Sequence, residues 1–441
     1  MNLVEETVEL LKELVANACV NDSNPTSGNE WRSADTLERY FADTCLTVTR
    51  IEPAPGRTTL IAHLPGSDPT ADPLTLIGHT DVVPVDQSRW SHPPFEVSSD
   101  GEKLWGRGVV DMLHLTAAMA VIIKAAATGN TTFRGALTFV AAADEEARAG
   151  LGMRWIEEHA PHAIDWRYCI SESGGGHIHG ARGSDAIVIT VGEKGAAQRR
   201  LHVTGDAGHG SVPLGKHSAV DIAAQVVQRL GNAIVPRAAD DLWATFVEAF
   251  EFDQATETSL IGGTYDGDYT CFGDLAPYAH AISRMSIART AIHAGTAINV
   301  LPSYAQIDLD IRTLPGMDDD DVDAVLRHAL ADFHDKVAIE RLICEEATLS
   351  PQDNRLYDVI ATVLSEQHPT SRVIPVLFPG GTDLRVARRQ GGVGYGFGSC
   401  AQPRTLGSIY GQLHAHDECL FLEDLELTVM ALHEVVRRFL Q

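Results

Sequence analysis

The sequence predicts an α/β protein in two units: an open, largely parallel sheet flanked by helices, interrupted by an antiparallel βαββαβ unit. Three observations lead there. The 441 residues exceed what one compact core usually holds, so two units are expected. In the first and last parts of the chain, short apolar runs end directly in His, Asp or Glu, as strands of open α/β sheets do where they build their sites. Between residues 198 and 344 the patterns follow the order strand, helix, strand, strand, helix, strand, which is the ferredoxin-like order.

In chain order, Val4, Val8, Leu11 and Val15 recur at helical spacing with glutamates between them, an amphipathic surface helix. A polar loop, Asn21 to Gly28, leads to a second helix over Asn29 to Phe41. Strands are expected over Leu46–Pro53 and Thr58–Leu64. The apolar run Leu74–Ile77 then ends at Gly78, and His79 and Asp81 follow at once. In this H-x-D spacing the carboxylate of Asp81 can hold the far ring nitrogen of His79 and fix the tautomer a metal needs. LWGRGVVDM carries Asp111 to the start of an apolar helix, Leu113–Ala127, a position that also suits an N-cap. The strand Ala136–Ala143 runs into Asp144-Glu145-Glu146, acids that repel one another unless a cation sits among them or water solvates the turn. Tyr168–Ser171 is a strand with Glu172 at its end. Gly174 to Gly176 then allow close backbone approach, and His177 and His179 read as exposed loop histidines.

The βαββαβ unit comprises strand Gln198–Thr204, helix Ser218–Leu230, strands Ile282–Arg289 and Ala305–Thr313, helix Asp319–His334 and strand Val337–Cys344. Ala233–Ala281 is a partly helical excursion within it. The expected division is therefore 1–194 with 350–441, and 195–349 as an insertion. The last part holds a helix (Asn354–Gln367), the loop FPGGTDLR, the strand VGYGFG, the motif HAHDE and a closing helix, Leu422–Phe439.

Composition excludes several classes. The net charge of −26 argues against nucleic acid and anionic membrane as partners. No run approaches a transmembrane length. The first residues lack the basic region and apolar block of a signal peptide, and the seven cysteines are scattered without a CxxC pair. A cytoplasmic protein with reduced cysteines is expected.

His79, Asp111, Glu145, Glu146, Glu172 and His414 stand at strand ends and loops of the first unit. Two imidazoles with several carboxylates suit Zn²⁺ or a similar divalent ion. A two-metal site needs one bridging carboxylate and private ligands for each ion, and an unliganded carboxylate can then serve as base. No G-x-S-x-G follows a strand, and the glycines of GRGVVDM make neither a dinucleotide fingerprint nor a phosphate loop.

GHTDVVPVD, GRGVVDM, ADEE, SESGGG, GHGSVP, NVLP with DLDIRTLPG, GGTDLR and HAHDE occur in this order. Together they resemble the di-zinc exopeptidase and deacylase family of aminoacylase, acetylornithine deacetylase, succinyl-diaminopimelate desuccinylase, carboxypeptidase G and carboxypeptidase S. The resemblance spans nearly the whole chain. It implies a three-layer α/β/α zinc-exopeptidase catalytic domain with an inserted ferredoxin-like lid and dimerisation domain. It also implies two Zn²⁺, with Co²⁺ or Mn²⁺ as substitutes, and a homodimer. Asp111 would bridge the metals, His79 and Glu172 would complete one site, and Glu146 and His414 the other. Glu145 would be the general base and Asp81 the support of His79. His209 of GHGSVP would reach the partner subunit's site and hold the oxyanion. Arg312, Gly381 and Thr382 would grip the substrate carboxylate, with Asn299 in a substrate-contacting motif. Two departures stand out: Leu113-His114 replace the usual Lys-Gly after DM, and the Glu at position 172 matches deacylases and carboxypeptidases rather than dipeptidases. The implied activity is hydrolysis of N-acyl amino acids or small peptides with a free C-terminus. A dipeptidase and a non-catalytic metal-binding protein are the alternatives.

Overall fold

The computed structural model describes all residues except Met1, Pro25, Asn130, Thr131 and Ala149. The chain begins with α1 (Leu3–Ala16) and α2 (Trp31–Phe41). It continues through β1 (Thr47–Ile51), β2 (Thr59–Leu64), β3 (Leu74–His79), α3 (Leu113–Thr128), β4 (Leu137–Ala142), β5 (Tyr168–Ser171) and β6 (Asp185–Glu193). Next come β7 (Arg199–Thr204), α4 (Ala219–Gly231), β8 (Ser286–Ala294), β9 (Tyr304–Thr313), α5 (Asp319–Ala329) and β10 (Val337–Arg341). The last elements are α6 (Arg355–Gln367), β11 (Ser371–Phe378), α7 (Leu384–Arg389), β12 (Val393–Gly396) and α8 (Leu422–Leu440).

The main sheet runs β1–β2–β4–β3–β5–β12–β6, and β11 pairs in parallel with β6. β1 and β2 are antiparallel to their neighbours, but β4, β3, β5 and β12 are parallel to one another. Their carboxyl ends therefore share one edge. Side chains of a strand alternate between faces, and here both faces are apolar. Leu137, Phe139 and Ala141 of β4 pack into a core with α1, α3, α6 and α8. Val140 and Ala142 face the other way, against α7 and the short helix Met153–His159. Three layers result, and they explain why these strands read as continuous apolar runs. α3 is buried nearly all round, and Gly78 lets it approach β3, since a Cβ there would meet Thr116 Oγ1 at 2.5 Å.

The second sheet has the order β10–β7–β9–β8, all antiparallel. α4 and α5 cover one face, on which Leu201, Val203, Ile307, Leu309 and Ile311 alternate inward. The other face is polar, with Arg200 and Asp308 paired at 2.9 Å. Both helices start with a capping box, Ser218 with Asp221 and Asp318 with Asp321.

Four segments differ from expectation. β8 lies over Ser286–Ala294 rather than Ile282–Arg289, because Ile282 ends a preceding helix, Ala276–Ile282. β6 and β11 are full strands of the main sheet that patterning did not assign. The excursion Ala233–Ala281 buries Trp243, Phe246, Phe272 and Tyr278 against Val188, Ile374 and Val376 of the main sheet, not against the second sheet.

Candidate active site

Three of the four parallel strands end in a chemically active side chain. β3 ends at His79, which is 1% exposed; β4 runs into Asp144-Glu145-Glu146 and β5 into Glu172. The register, His79 beside Ala142 and Leu76 beside Ile170, brings these ends together. The loop before α3 adds Asp111, and a turn near the C-terminus adds His414, whose φ is 60°. Asp111 caps nothing: the residue before α3 is Met112, without a side-chain cap.

Asp111 sits between two imidazoles. Its Oδ1 is 3.1 Å from His79 Nε2 and its Oδ2 is 3.3 Å from His414 Nε2. His414 Nε2 also lies 3.1 Å from Glu146 Oε2. Donor atoms of His79, Glu145 and Glu172 fall within 4.8 Å of one another, as do those of His79, Asp111 and Glu146.

So many carboxylates in one buried place disturb each other's protonation. Burial, with the charge of Asp111, pushes Glu146 up to about 8 and Glu172 well above the usual carboxylate range. Burial also raises Glu145, to which Asp111 and Asp81 add. Burial opposes charge on Asp111 too, but hydrogen bonds from His414 and His79 hold it far below its ordinary value. Hydrogen bonds to Asp111 and Glu146 lift His414 to about 10. Among the described residues, Glu146 Oε1 is buried without a hydrogen-bond partner. An orphaned carboxylate oxygen, crowded acids and two imidazoles on opposite oxygens of one carboxylate fit divalent cations.

The surroundings hold this cluster in place. His79 Nδ1 is 2.9 Å from the backbone carbonyl of Asp81, and the Asp81 carboxylate, expected to make this contact, is 3.6 Å away. That carboxylate instead accepts the backbone N–H groups of Glu145 and Glu146, at 3.2 and 3.1 Å, and the Asn21 amide at 2.9 Å. It fixes the acidic turn as well as the histidine loop. Glu418, the last residue of HAHDE, is fully buried and accepts from Arg107 at 2.7 Å and from the backbone N–H of Val110 and Asp111 at 2.7 and 3.1 Å. Arg107 in turn donates to the carbonyls of His414 and Ala415. This pair joins the Asp111 loop to the His414 turn, and the sequence reading missed it. Arg57, buried with Glu30 and Asp144, anchors the base of the acidic turn at 2.6 and 2.9 Å.

Other expected residues lie around or apart from the cluster. Arg312 pairs with Asp310 at 2.8 Å, but its Nη1 is buried without a partner among the described residues. The Gly381 carbonyl accepts from Arg148 at 3.2 Å, and Thr382 donates its N–H and hydroxyl to Glu193 at 2.9 and 2.7 Å. His209 is exposed, 2.7 Å from Ser211 Oγ, with no hydrogen bond to the cluster among the described residues. Asn299 is its neighbour, accepting the Gly210 N–H at 2.8 Å. His177 is not an exposed loop residue but a buried one, bonded to Asp185 at 2.8 Å and the Cys400 carbonyl at 2.9 Å; His179 is exposed. His114, in place of the usual glycine, has a buried Nδ1 without a partner among the described residues, and burial pushes its pKa down to about 4.

The sequence pattern of peptidase family M20/M25/M40 matches residues 75–438. The chain belongs to that family. As a member of M20/M25/M40 it is a hydrolase of the metallopeptidase type, and the His–carboxylate cluster is its candidate metal-binding group. The chain is similar to an acetylornithine deacetylase from Vibrio atlanticus (strain LGP32), 24% identical over 331 residues, covering 75% of this chain and 74% of that protein. It is similar also to an aminoacylase-1B from Rattus norvegicus, 25% identical over 388 residues, covering 86% and 84%. A solved M20 family metallo-carboxypeptidase from Sulfolobus solfataricus shares the fold, with a TM-score of 0.75, 16% identity and coverage of 100% and 99%. No helix among the described residues is long and apolar enough to cross a membrane.

Proposed function

We propose that this M20/M25/M40 enzyme hydrolyses the amide bond of N-acyl amino acids, or of small peptides with a free C-terminal carboxylate, in the cytoplasm. The observation that carries the reading is Asp111 with an imidazole on each oxygen and Glu145 beside His79 and Glu172, its carboxylate without a hydrogen-bond donor among the described residues. Asp111 would be shared by two divalent ions, Zn²⁺ by the chemistry of the donors, with His79 and Glu172 serving one and Glu146 and His414 the other. When bound, such a pair supplies Lewis-acid polarisation and an acidified water.

The chain's own groups do the rest. Glu145 takes the proton of the attacking water at its carboxylate and returns it to the leaving amine; Asp81 holds Glu145 in place through its backbone N–H. The unpartnered Nη1 of Arg312 suits a substrate carboxylate, a charge-assisted bond that sets register. Gly381 and Thr382 line that side, and Arg148 adds a second cation there. His209, with Asn299 next to it, supplies the oxyanion donor from a partner subunit. Residues 195–349 form the unit that closes over the site and pairs the subunits, and 1–194 with 350–441 form the catalytic unit. Deacetylase and aminoacylase relatives support the acyl amino acid as substrate class.

A hydrolysis panel tests this: N-acyl amino acids, dipeptides and succinyl-diaminopimelate, with a chelator control and metal add-back. N-acyl amino acids should be cleaved, chelation should stop it, and Zn²⁺ should restore it. Cleavage of dipeptides alone moves the enzyme to the dipeptidase class, and turnover indifferent to chelation overturns the metal assignment.

A further inference from the structure

Four segments of chain run between the main sheet and the second sheet. Two are the ends of the insertion: residues 194–197 leave β6, and residues 342–347 return to it. The other two carry the excursion that packs on the main sheet, out after α4 and back into β8. Each couple is zipped by backbone bonds. Ala196 and Glu345 exchange theirs at 2.9 and 2.8 Å, and the short strand Thr348–Leu349 continues the pairing along the end of β6. In the other couple Ala238 donates to the Ser283 carbonyl at 2.8 Å, and Met285 to that of Pro236 at 3.0 Å. A side chain of the first couple joins it to the second. Lys194 is 2% exposed, and its Nζ donates to the carbonyls of Ala281 and Arg284 at 2.6 and 2.7 Å and to Ser286 Oγ at 3.3 Å. A buried amine is costly unless it is fully bonded. Here three uncharged acceptors, all where the excursion returns to β8, take its three N–H groups.

We infer that Lys194 is a positioning residue for the substrate-carboxylate site: it fixes where Arg312 stands relative to the loop of Gly381 and Thr382. The inference rests on the amide-hydrolase reading above, in which those groups take the carboxylate. Lys194 and the residue before it reach toward the two halves of that site. Glu193 accepts from the Thr382 N–H and hydroxyl and from Arg385 Nε at 3.0 Å, and so sets the loop. Arg312 lies on β9 with Ala196 opposite it on one side and Ser286 on the other. Ala196 belongs to one couple of crossing segments, Ser286 ends the other, and Lys194 ties the two. Burial pushes the Lys194 amine down to about 7, and the charge of Arg312 adds to that push, which places the two cations near each other. Without the tie, the segments flanking Arg312 would keep their bonds to β9 but lose their hold on the end of β6. A lysine that only capped the helix Ala276–Ile282 would stabilise the fold and be indifferent to the charge the substrate carries.

The experiment compares an N-acyl amino acid with its carboxamide, the same scissile bond without the carboxylate charge. Arg312→Ala should depress kcat/KM on the acid and spare the carboxamide. Lys194→Met keeps the apolar stem and removes the donors. It should raise KM on the acid by about 10–100-fold, the worth of one charged hydrogen bond. Its kcat should change by less than about threefold, its metal content not at all, and its rate on the carboxamide should match wild type. In an Arg312→Ala background, Lys194→Met should cost less than about threefold more, because both changes act on one contact. Ser286→Ala loses only the longest of the three bonds. It should raise KM on the acid by about two- to fivefold, and it decides the matter if Lys194→Met does not fold. Equal losses on acid and carboxamide, or effects that add in the double variant, reduce Lys194 to a cap and overturn the inference. So does a wild-type KM in the folded variants. If Arg312→Ala treats the two substrates alike, the carboxylate assignment fails and the inference with it. If the wild type cleaves neither substrate, the amide-hydrolase reading itself fails, and the inference falls with that reading.

Discussion

At the residue scale, adjacent acids do different work. Glu146 shares His414 with Asp111, whereas Glu145 is held only by its backbone. Glu145→Gln should therefore keep its metal and lose turnover by about 10²–10⁴-fold, and Glu146→Gln should lose metal as well; metal analysis beside rate measurements separates them, and the reverse result means the roles are exchanged. Glu418 makes a second case. It is buried with Arg107 and orients the Asp111 backbone, so Glu418→Ala leaves a buried cation unpaired. Stability should fall by about 3–5 kcal/mol and metal affinity by about 10–100-fold, read by denaturant unfolding and metal titration; a variant unchanged in both removes Glu418 from the design. The ligand candidates were legible because each follows an apolar run or a glycine-rich turn. Glu418 and Arg107 were not, because their bond spans 311 positions and the strands that bring them together, Lys103–Trp105 and Cys419–Phe421, are only three residues each, too short to read from pattern. The Asp81 carboxylate was half-legible: H-x-D spacing named the residue, but its bonds to the acidic turn depend on β3 and β4 being neighbours.

Among the elements, α8 closes the chain by packing on α6 and α3. Its last turns carry Glu434 bonded to Arg437 and Arg438, and Arg438 reaches Glu366 of α6 at 2.6 Å. Hydrogen bonds from Arg437, with Arg438 adding to them, hold Glu434 down to about 2 from an ordinary 4.5. A carboxylate with a depressed folded pKa stabilises fully above its unfolded value, and the benefit is lost as pH falls through the folded one. Glu434→Gln should cost about 0.5–1 kcal/mol at pH 7, small because the network is solvent-screened. The difference from wild type should shrink between about pH 4.5 and pH 2, and an equal difference at pH 7 and pH 2.5 in denaturant titrations would refute the linkage. The helices were legible from period and caps, as were the strands that end at the site. β11 was not, because Pro375 cannot donate to a ladder and argues against a strand; β11 pairs only with β6 and so tolerates it. β8 was misplaced because its outward residues leave no clean alternation.

For the whole molecule, His209 makes no hydrogen bond to the cluster of its own chain among the described residues, which suits a donor supplied in trans across a two-fold dimer. Mixing His209→Ala with Glu145→Ala, each inactive alone, should restore activity in mixed dimers, where one site has an intact Glu145 and borrows a sound His209. Demonstrably mixed but silent dimers exclude action in trans, and full activity of His209→Ala alone excludes any role. The α/β class and the order of the second sheet were legible, but the packing of Ala233–Ala281 was not, since sequence order placed it inside one unit while its aromatic face belongs to another sheet. The pairing of β6 with β11 has a consequence for synthesis. β6 is complete at Glu193, but β11 begins at Ser371 and β12 at Val393. On a ribosome adding roughly 5–20 residues per second, the backbone of β6 beyond Ile187, where the short upstream strand His177–His179 stops covering it, waits on the order of ten seconds or more for β11, its parallel neighbour, and for β12, its antiparallel one. Nascent chains of this protein therefore pass through a stage with an open sheet edge, and that interval is when a chaperone has most to protect.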